Sequence, residues 1–327
     1  MELRYITPEG VETGTAEDLP AWRGRRDGFL WLHFDSCDEA ATTTLRDDFG
    51  FHPAAIESSK HRVHLPTFHG YPDHWFLVVH RPFVGRAGHV HLLQLAQFIC
   101  RDGLVTLHGP HNPEVDASEV QYDTDSLRQR LDAGRLHPKT SSELAHALVA
   151  GLAREYRDVL NKIATRVAAL ETDVMSDDLR RPEALLDRMF LIRHELLTVR
   201  TMAADAHEVF ERMAGVADTP AFDDRALMSD LSDRFARVRT ISDGERDFLT
   251  GVMDYYQTRT ATKMTIAMER LAVLAAVTLP ITALASVYGM NVIVNAESDT
   301  GHILLVVGVM VLISGLLLRW TKRQGWW

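Results

Sequence analysis

Hydrophobic positions change their rhythm along the chain. Residues 1 to about 138 carry short apolar or alternating runs: LRYI at 3 to 6, FLWLHF at 29 to 34, HWFLVVHRPF at 74 to 83, HVHLLQLAQFIC at 89 to 100 and LVTLH at 104 to 108. Such runs predict strands, with one helix between the second and third at Asp38 to Phe49. Thr140 followed by Glu143 is a capping box, after which Leu144, Leu148, Leu152, Val159, Ile163, Val167 and Leu170 keep helical spacing to about Asp173. Pro182, a first-turn residue, opens another helix through Leu185, Met189, Ile192, Leu196, Val199 and Met202. Pro220 with Asp223 and Asp224 predicts a third, and from Arg225 no proline intervenes before Pro280. The pattern gives an α+β domain over 1–138, a helical region over 139–222 and a long stalk helix over 223–270.

Charge then disappears. From Leu271 to Ala296 no charged residue occurs, and the opening LAVLAAVTLPITALASVY is almost wholly apolar. That length crosses about 30 Å of hydrocarbon. A second uncharged run, Thr300 to Leu318, follows Glu297 and Asp299. The competing reading, two buried helices of a soluble protein, fits poorly with runs so long and so free of charge. The expected layout is a first transmembrane span at 271–291, an outside loop at 292–301, a second span at 302–320 and a tail at 321–327. Arg319, Lys322 and Arg323 follow the second span, whereas the loop has no Lys or Arg, so both termini are expected in the cytoplasm of a cell-membrane protein. Trp320, Trp326 and Trp327 suit the headgroup layer at that same end. The third helix, read as continuous from the cytosol into the first span, would be ~90 Å long, a stalk shared among subunits.

Composition removes other classes. With 35 basic against 45 acidic side chains and a net charge of −10, the chain lacks the cationic clusters that bind nucleic acid. Two cysteines far apart, Cys37 and Cys100, indicate neither a disulfide framework nor a thiolate zinc site. The opening MELRYITPEGVETG has no apolar core behind a basic start, so no cleaved secretory signal is expected. No GxxxxGK[ST] loop and no nucleophile, base and orienter set is visible, so neither ATP-driven transport, an organic cofactor nor enzymatic activity is expected.

Two spans cannot enclose a pore alone, so transport would need several copies around an axis. Met268, Leu271, Ala275, Leu279, Thr282, Ser286 and Gly289 share one stripe of the first span, apolar below and small or polar above. Apolar rings close pores by dewetting and hydroxyl rings receive hydrated ions. The same Thr and Ser would equally bond back to helix carbonyls or pack between helices.

At the end of that span stand Tyr288, Gly289, Met290 and Asn291, preceded by Pro280, Ile281 and Thr282. This YGMN, placed after the first of two C-terminal spans, behind a long helix and before a basic, tryptophan-rich tail, resembles the CorA family of divalent-cation channels. The resemblance implies a funnel-shaped homopentamer in the lipid bilayer, passing Mg²⁺, with Co²⁺ and Ni²⁺ as further cargo, passively under the membrane potential. It assigns Gly289, Met290 and Asn291 to a selectivity filter, Thr282 to a polar pore ring and Met268 and Leu271 to a hydrophobic gate, and the stripe adds Leu279 and Ser286 to the pore lining. Asn291 carbonyls suit an ion that holds its inner water shell tightly, and bind less tightly than carboxylates would. The chain departs from the family where Val292 replaces an aromatic after GMN, where the loop lacks a Met-Pro-Glu element, and where Thr265 replaces an Asn before the gate. Glu297 and Asp299 either concentrate cations at the mouth or are solvated loop charges.

Within the same resemblance, intracellular Mg²⁺ bridging stalk carboxylates between subunits would regulate closure, with Asp230 and Asp254 at the matching positions and Asp73 as partner; ordinary solvated charge is the other reading of each. Eight of the 16 histidines lie between His52 and His91. They read as solvated side chains or as a zinc site, and the latter would favour a Zn²⁺ transporter of the ZntB branch, which typically lacks the motif's Met. A membrane-tethered metal sensor without transport is the remaining alternative.

Overall fold

The run FLWLHF forms strand β3 (Phe29–Phe34), buried at every position, as a strand is when both faces of its sheet are covered. The computed structural model describes residues 1–85, 89–176, 182–216, 218–219, 222–289 and 300–324. They fall into two units, Met1–Thr250 and Gly251–Trp327.

In the first unit β3 joins β1 (Glu2–Thr7), β2 (Gly10–Gly14), β4 (Thr67–Gly70), β5 (His74–Val84), β6 (Val90–Cys100) and β7 (Gly103–His108) in a sheet of order β2-β1-β3-β7-β6-β5-β4. β3 and β7 are parallel, Leu30 opposite Gly103 and Phe34 opposite Leu107, and the remaining pairs are antiparallel. One face is apolar: Leu3, Leu32, Phe76, Phe98 and Leu107 pack with Leu19 of α1 (Leu19–Trp22), Ala41 of α2 (Glu39–Thr43) and Ile56 of α3 (Pro53–Lys60). The opposite face lies under α4 (Ala117–Asp132) and α5 (Ser141–Met175) and is partly polar. There Trp31 Nε1 donates to Thr106 Oγ1 at 3.1 Å, His108 Nε2 lies 3.2 Å from Thr124 Oγ1, and Arg81 Nε lies 2.8 Å from Asp123 Oδ2.

α5 starts where the capping residues stand. Thr140 Oγ1 accepts from the Glu143 amide at 3.1 Å, while the Glu143 carboxylate accepts from the Lys139 amide at 2.7 Å. Leu144, Leu148, Leu152, Val159, Ile163, Val167 and Leu170 are all buried. α6 (Pro182–Val216) buries Leu185, Met189, Ile192, Leu196, Val199 and Met202. Phe235 of α7 (Arg225–Gly289) stacks on Phe210 of α6 at 5.6 Å and meets Tyr156 of α5 edge-on at 5.5 Å.

Two expectations need correction. The third long helix starts at Arg225, not at Asp223: Asp223 belongs to a two-residue strand, β9 (Phe222–Asp223), paired with β8 (Asp218–Thr219). The Asp224 carbonyl then accepts from the Leu227 and Met228 amides, which makes it the residue at the helix entrance. Further, α4 interrupts the strand-like N-terminal region. Its inward positions are Asp123, Thr124, Leu127 and Leu131, too polar to show an apolar stripe.

The second unit consists of α7 from Gly251 onward and α8 (Thr300–Arg323). α7 is 65 residues long, with Pro280 inside it, so it contributes to both units without a break. Both helices carry stretches long and apolar enough to cross a membrane, with mean hydropathies of 1.8 and 2.1 and 6% of each stretch buried.

Candidate functional site

Helix geometry puts the proposed pore positions on one exposed strip of α7. Met268, Leu271 and Leu279 are 57%, 65% and 66% exposed, and Ala275, Thr282 and Ser286 are also exposed. A soluble chain would not leave such side chains in water, so this strip requires lipid or another copy against it. Thr282 Oγ1 donates to the Thr278 carbonyl at 2.8 Å, and Thr278 Oγ1 to the Leu274 carbonyl at 2.8 Å. These bonds use each hydroxyl hydrogen and leave oxygen lone pairs open as acceptors. Gly289 is the last residue of α7. Met290, Asn291, Glu297 and Asp299 lie outside the described residues.

The three carboxylates singled out for regulation have different surroundings. Asp230, in the second turn of α7, receives Arg234 Nε at 2.6 Å and lies 2.7 Å from His146 Nε2 of α5. Partial burial pushes its carboxyl up, but the hydrogen bonds and charges of Arg234 and His146 outweigh that and hold it below the usual range. Asp73, before β5, is 2.7 Å from His74 Nδ1. Asp254 is exposed on α7. Within one chain they do not form a donor set, and among the described residues no group of three or more His, Cys, Asp or Glu side chains could hold a metal ion. A metal at Asp230 would have to displace both the Arg234 guanidinium and the His146 imidazole, so the single chain does not fit a resident ion.

The reading of the histidines as solvated is corrected for two of them. His74 and His80 are buried at 1% and 2% exposure. His80 Nε2 bonds the Val63 carbonyl at 2.6 Å, and burial pushes its pKa down to about 4. His74 stacks on Tyr71 at 4.7 Å, and burial lowers its pKa against the raising effect of Asp73. Both imidazoles are buried and engaged by protein partners, as core side chains are. Arg234 was readable as a partner of Asp230 from its spacing of four on a helix; His146, 84 positions away, had no such signal.

A family model described as CorA-like Mg²⁺ transporter protein matches residues 26–323. The YfjQ protein of Bacillus subtilis, provisionally named a metal ion transporter, is 25% identical over 98% of both chains. The cobalt/magnesium transport protein CorA of Thermotoga maritima is 22% identical over 85% of this chain and 77% of its own. A zinc transport protein ZntB of Yersinia pseudotuberculosis is 25% identical over 63% of this chain and 62% of its own. In fold, the complete CorA magnesium transporter of Methanocaldococcus jannaschii superposes with a TM-score of 0.81 at 15% identity, covering 100% of this chain and 99% of that one.

Proposed function

The chain belongs to the CorA-like Mg²⁺ transporter family, and from that premise we propose that it is a passive Mg²⁺ channel of the cell membrane, assembled from several copies, five by family resemblance. The observation that carries this reading is the exposed apolar strip of α7 leading, at Gly289, into the YGMN sequence. In a ring of copies Met268 and Leu271 form apolar constrictions, Thr282 and Ser286 offer hydroxyl oxygens, and Gly289 to Asn291 form the mouth. Mg²⁺, the cargo, keeps its water shell, and neutral oxygens hold that shell without trapping the ion. The driving force is the potential: about 4.6 kcal/mol for a divalent ion at ~100 mV inside-negative. Co²⁺ and Ni²⁺, similar in charge, are further cargo, and Glu297 and Asp299 concentrate cations outside. Both termini are cytoplasmic, following the basic residues after the second span.

Ion flux into liposomes containing only this protein tests the reading, with Mg²⁺, Co²⁺, Ni²⁺ and Zn²⁺ measured side by side. Mg²⁺ influx that follows an imposed potential and needs no proton gradient is expected; a protein that carries nothing is a tether. The similarity to ZntB supports a second reading, Zn²⁺ transport. Zn²⁺ flux exceeding Mg²⁺ flux and driven by a proton gradient would establish it instead.

A further inference from the structure

Charge in the second unit runs against the rest of the chain. Its described residues carry six basic side chains, Arg259, Lys263, Arg270, Arg319, Lys322 and Arg323, and two acidic ones, Asp254 and Glu269, in a protein of net charge −10. Among the described residues the side chains of Lys263, Arg270, Arg319, Lys322 and Arg323 enter no hydrogen bond or ion pair. Two of them flank a groove of about 610 Å³ on α7, where Lys263 and Arg270 stand beside Ile266, Ala267 and Leu271. Ile266 and Leu271 are 42% and 65% exposed there. The groove thus joins two unpaired cations to an uncovered apolar wall, immediately before the uncharged run.

Its position on the helix separates it from the conduction strip. At about 100° per residue, Lys263 and Arg270 lie within about 20° of each other, and about 140° and 160° around the axis from Met268. If Met268 faces the axis of a ring of copies, the two cations face outward. Leu271 marks the border between the strips.

We propose that this groove binds the headgroup of an anionic phospholipid, its phosphate between Lys263 and Arg270 and its acyl chain along Ile266 and Ala267, with Leu271 left to the constriction. The proposal rests on the membrane reading above. Charge complementarity selects the occupant: a zwitterionic lipid brings its own cation to the two already present, a soluble anion leaves the apolar wall uncovered, and an anionic lipid satisfies both. Arg319, Lys322 and Arg323 follow the second span and add to the attraction of an anionic surface.

The test uses the full chain in detergent, with its melting temperature followed as phosphatidylglycerol, phosphatidylcholine or glycerol 3-phosphate is titrated. Phosphatidylglycerol is expected to raise the melting temperature saturably, with loss of the effect at high salt, and the other two to leave it unchanged. Each cation contributes about fivefold to such binding, so Lys263→Gln/Arg270→Gln should need about 30-fold more phosphatidylglycerol, while Lys263→Arg/Arg270→Lys titrates near wild type. An equal shift with phosphatidylcholine, a shift with glycerol 3-phosphate alone, or a Gln variant that titrates like wild type overturns the proposal. If the Gln variant does not fold, the comparison of lipids on the wild type and on the charge-preserving variant decides. Flotation with phosphatidylcholine vesicles separates the two levels: protein that fails to insert overturns the membrane reading, and protein that inserts without a phosphatidylglycerol-specific shift overturns this inference alone.

Discussion

His146 of α5 and Arg234 of α7 share one oxygen, Oδ2 of Asp230, at 2.7 Å and 2.6 Å. A single carboxylate therefore ties the start of the 65-residue helix to the helix beside it.

Asp230→Asn keeps an acceptor but removes the charge. With 39% of the side chain exposed, solvent screening leaves a loss of about 1 kcal/mol, or about 2 °C in melting temperature in metal-free buffer. An unchanged melting temperature would show that the contact contributes nothing to stability.

Asp254 should behave differently, because it is exposed. We expect Asp254→Asn to leave the metal-free melting temperature alone and to reduce the rise caused by Mg²⁺, which at 100 times its dissociation constant contributes ~2.7 kcal/mol per site. The double variant Asp230→Asn/Asp254→Asn should conduct but close poorly at high internal Mg²⁺. Normal closure and a normal Mg²⁺-dependent melting shift in that variant would reduce both aspartates to ordinary surface charges.

Asn291→Ala removes the carbonyl expected to bond the ion's water shell. Selective Mg²⁺ uptake should be abolished while the oligomer, measured by size, persists. Wild-type uptake by a correctly inserted Asn291→Ala protein excludes the Asn ring as the filter.

Leu271→Asn places an amide in the apolar constriction proposed with Met268. Wetting of that ring should raise resting conductance at high internal Mg²⁺. Conductance no greater than wild type moves the gate elsewhere on α7.

Acid should weaken the first unit. Burial pushes His80 to about 4 and His108 to about 3, whereas the unfolded chain protonates both near pH 6.5. The unfolded state then binds more protons, so the contribution of these histidines is intact above about pH 6.5 and lost as pH falls toward their folded values. Asp123 works in the opposite sense: burial, partly opposed by Arg81, raises its pKa to about 7, so its contribution is present at acid pH and lost as pH rises through that value. Melting of the full chain from pH 7 to pH 4 should show His80→Gln with an acid slope shallower by roughly 3 kcal/mol over the window. Equal slopes for variant and wild type would remove His80 from the balance.

The legible parts of the chain are those where a period repeats. The Leu144 to Leu170 stripe, Pro182 at a helix start and the two uncharged runs all act through local spacing, and each falls on a helix over the described residues. β2, with GVETG half in solvent, and β4, four residues at the sheet edge, carry too few side chains for a period to register. α4 was hidden because Asp123 faces inward to Arg81, a pairing across 42 positions that no window spans. The same limit applies to the carboxylates: family resemblance singled out Asp230, but its engagement by His146 depends on how α5 packs beside α7.

Pro280 gives the first span a mechanical property. Proline has no amide hydrogen, so the Ala276 carbonyl four residues earlier lacks its usual helix donor. Thr278 and Thr282 place hydroxyl bonds on the carbonyls of Leu274 and Thr278, on either side of that gap. The span is therefore two stiff segments meeting at a compliant joint, and its thermal bending concentrates between the apolar positions below and the small, polar positions above. In the proposed channel, the width at Thr282 then depends on the elasticity of one joint as well as on the size of one side chain.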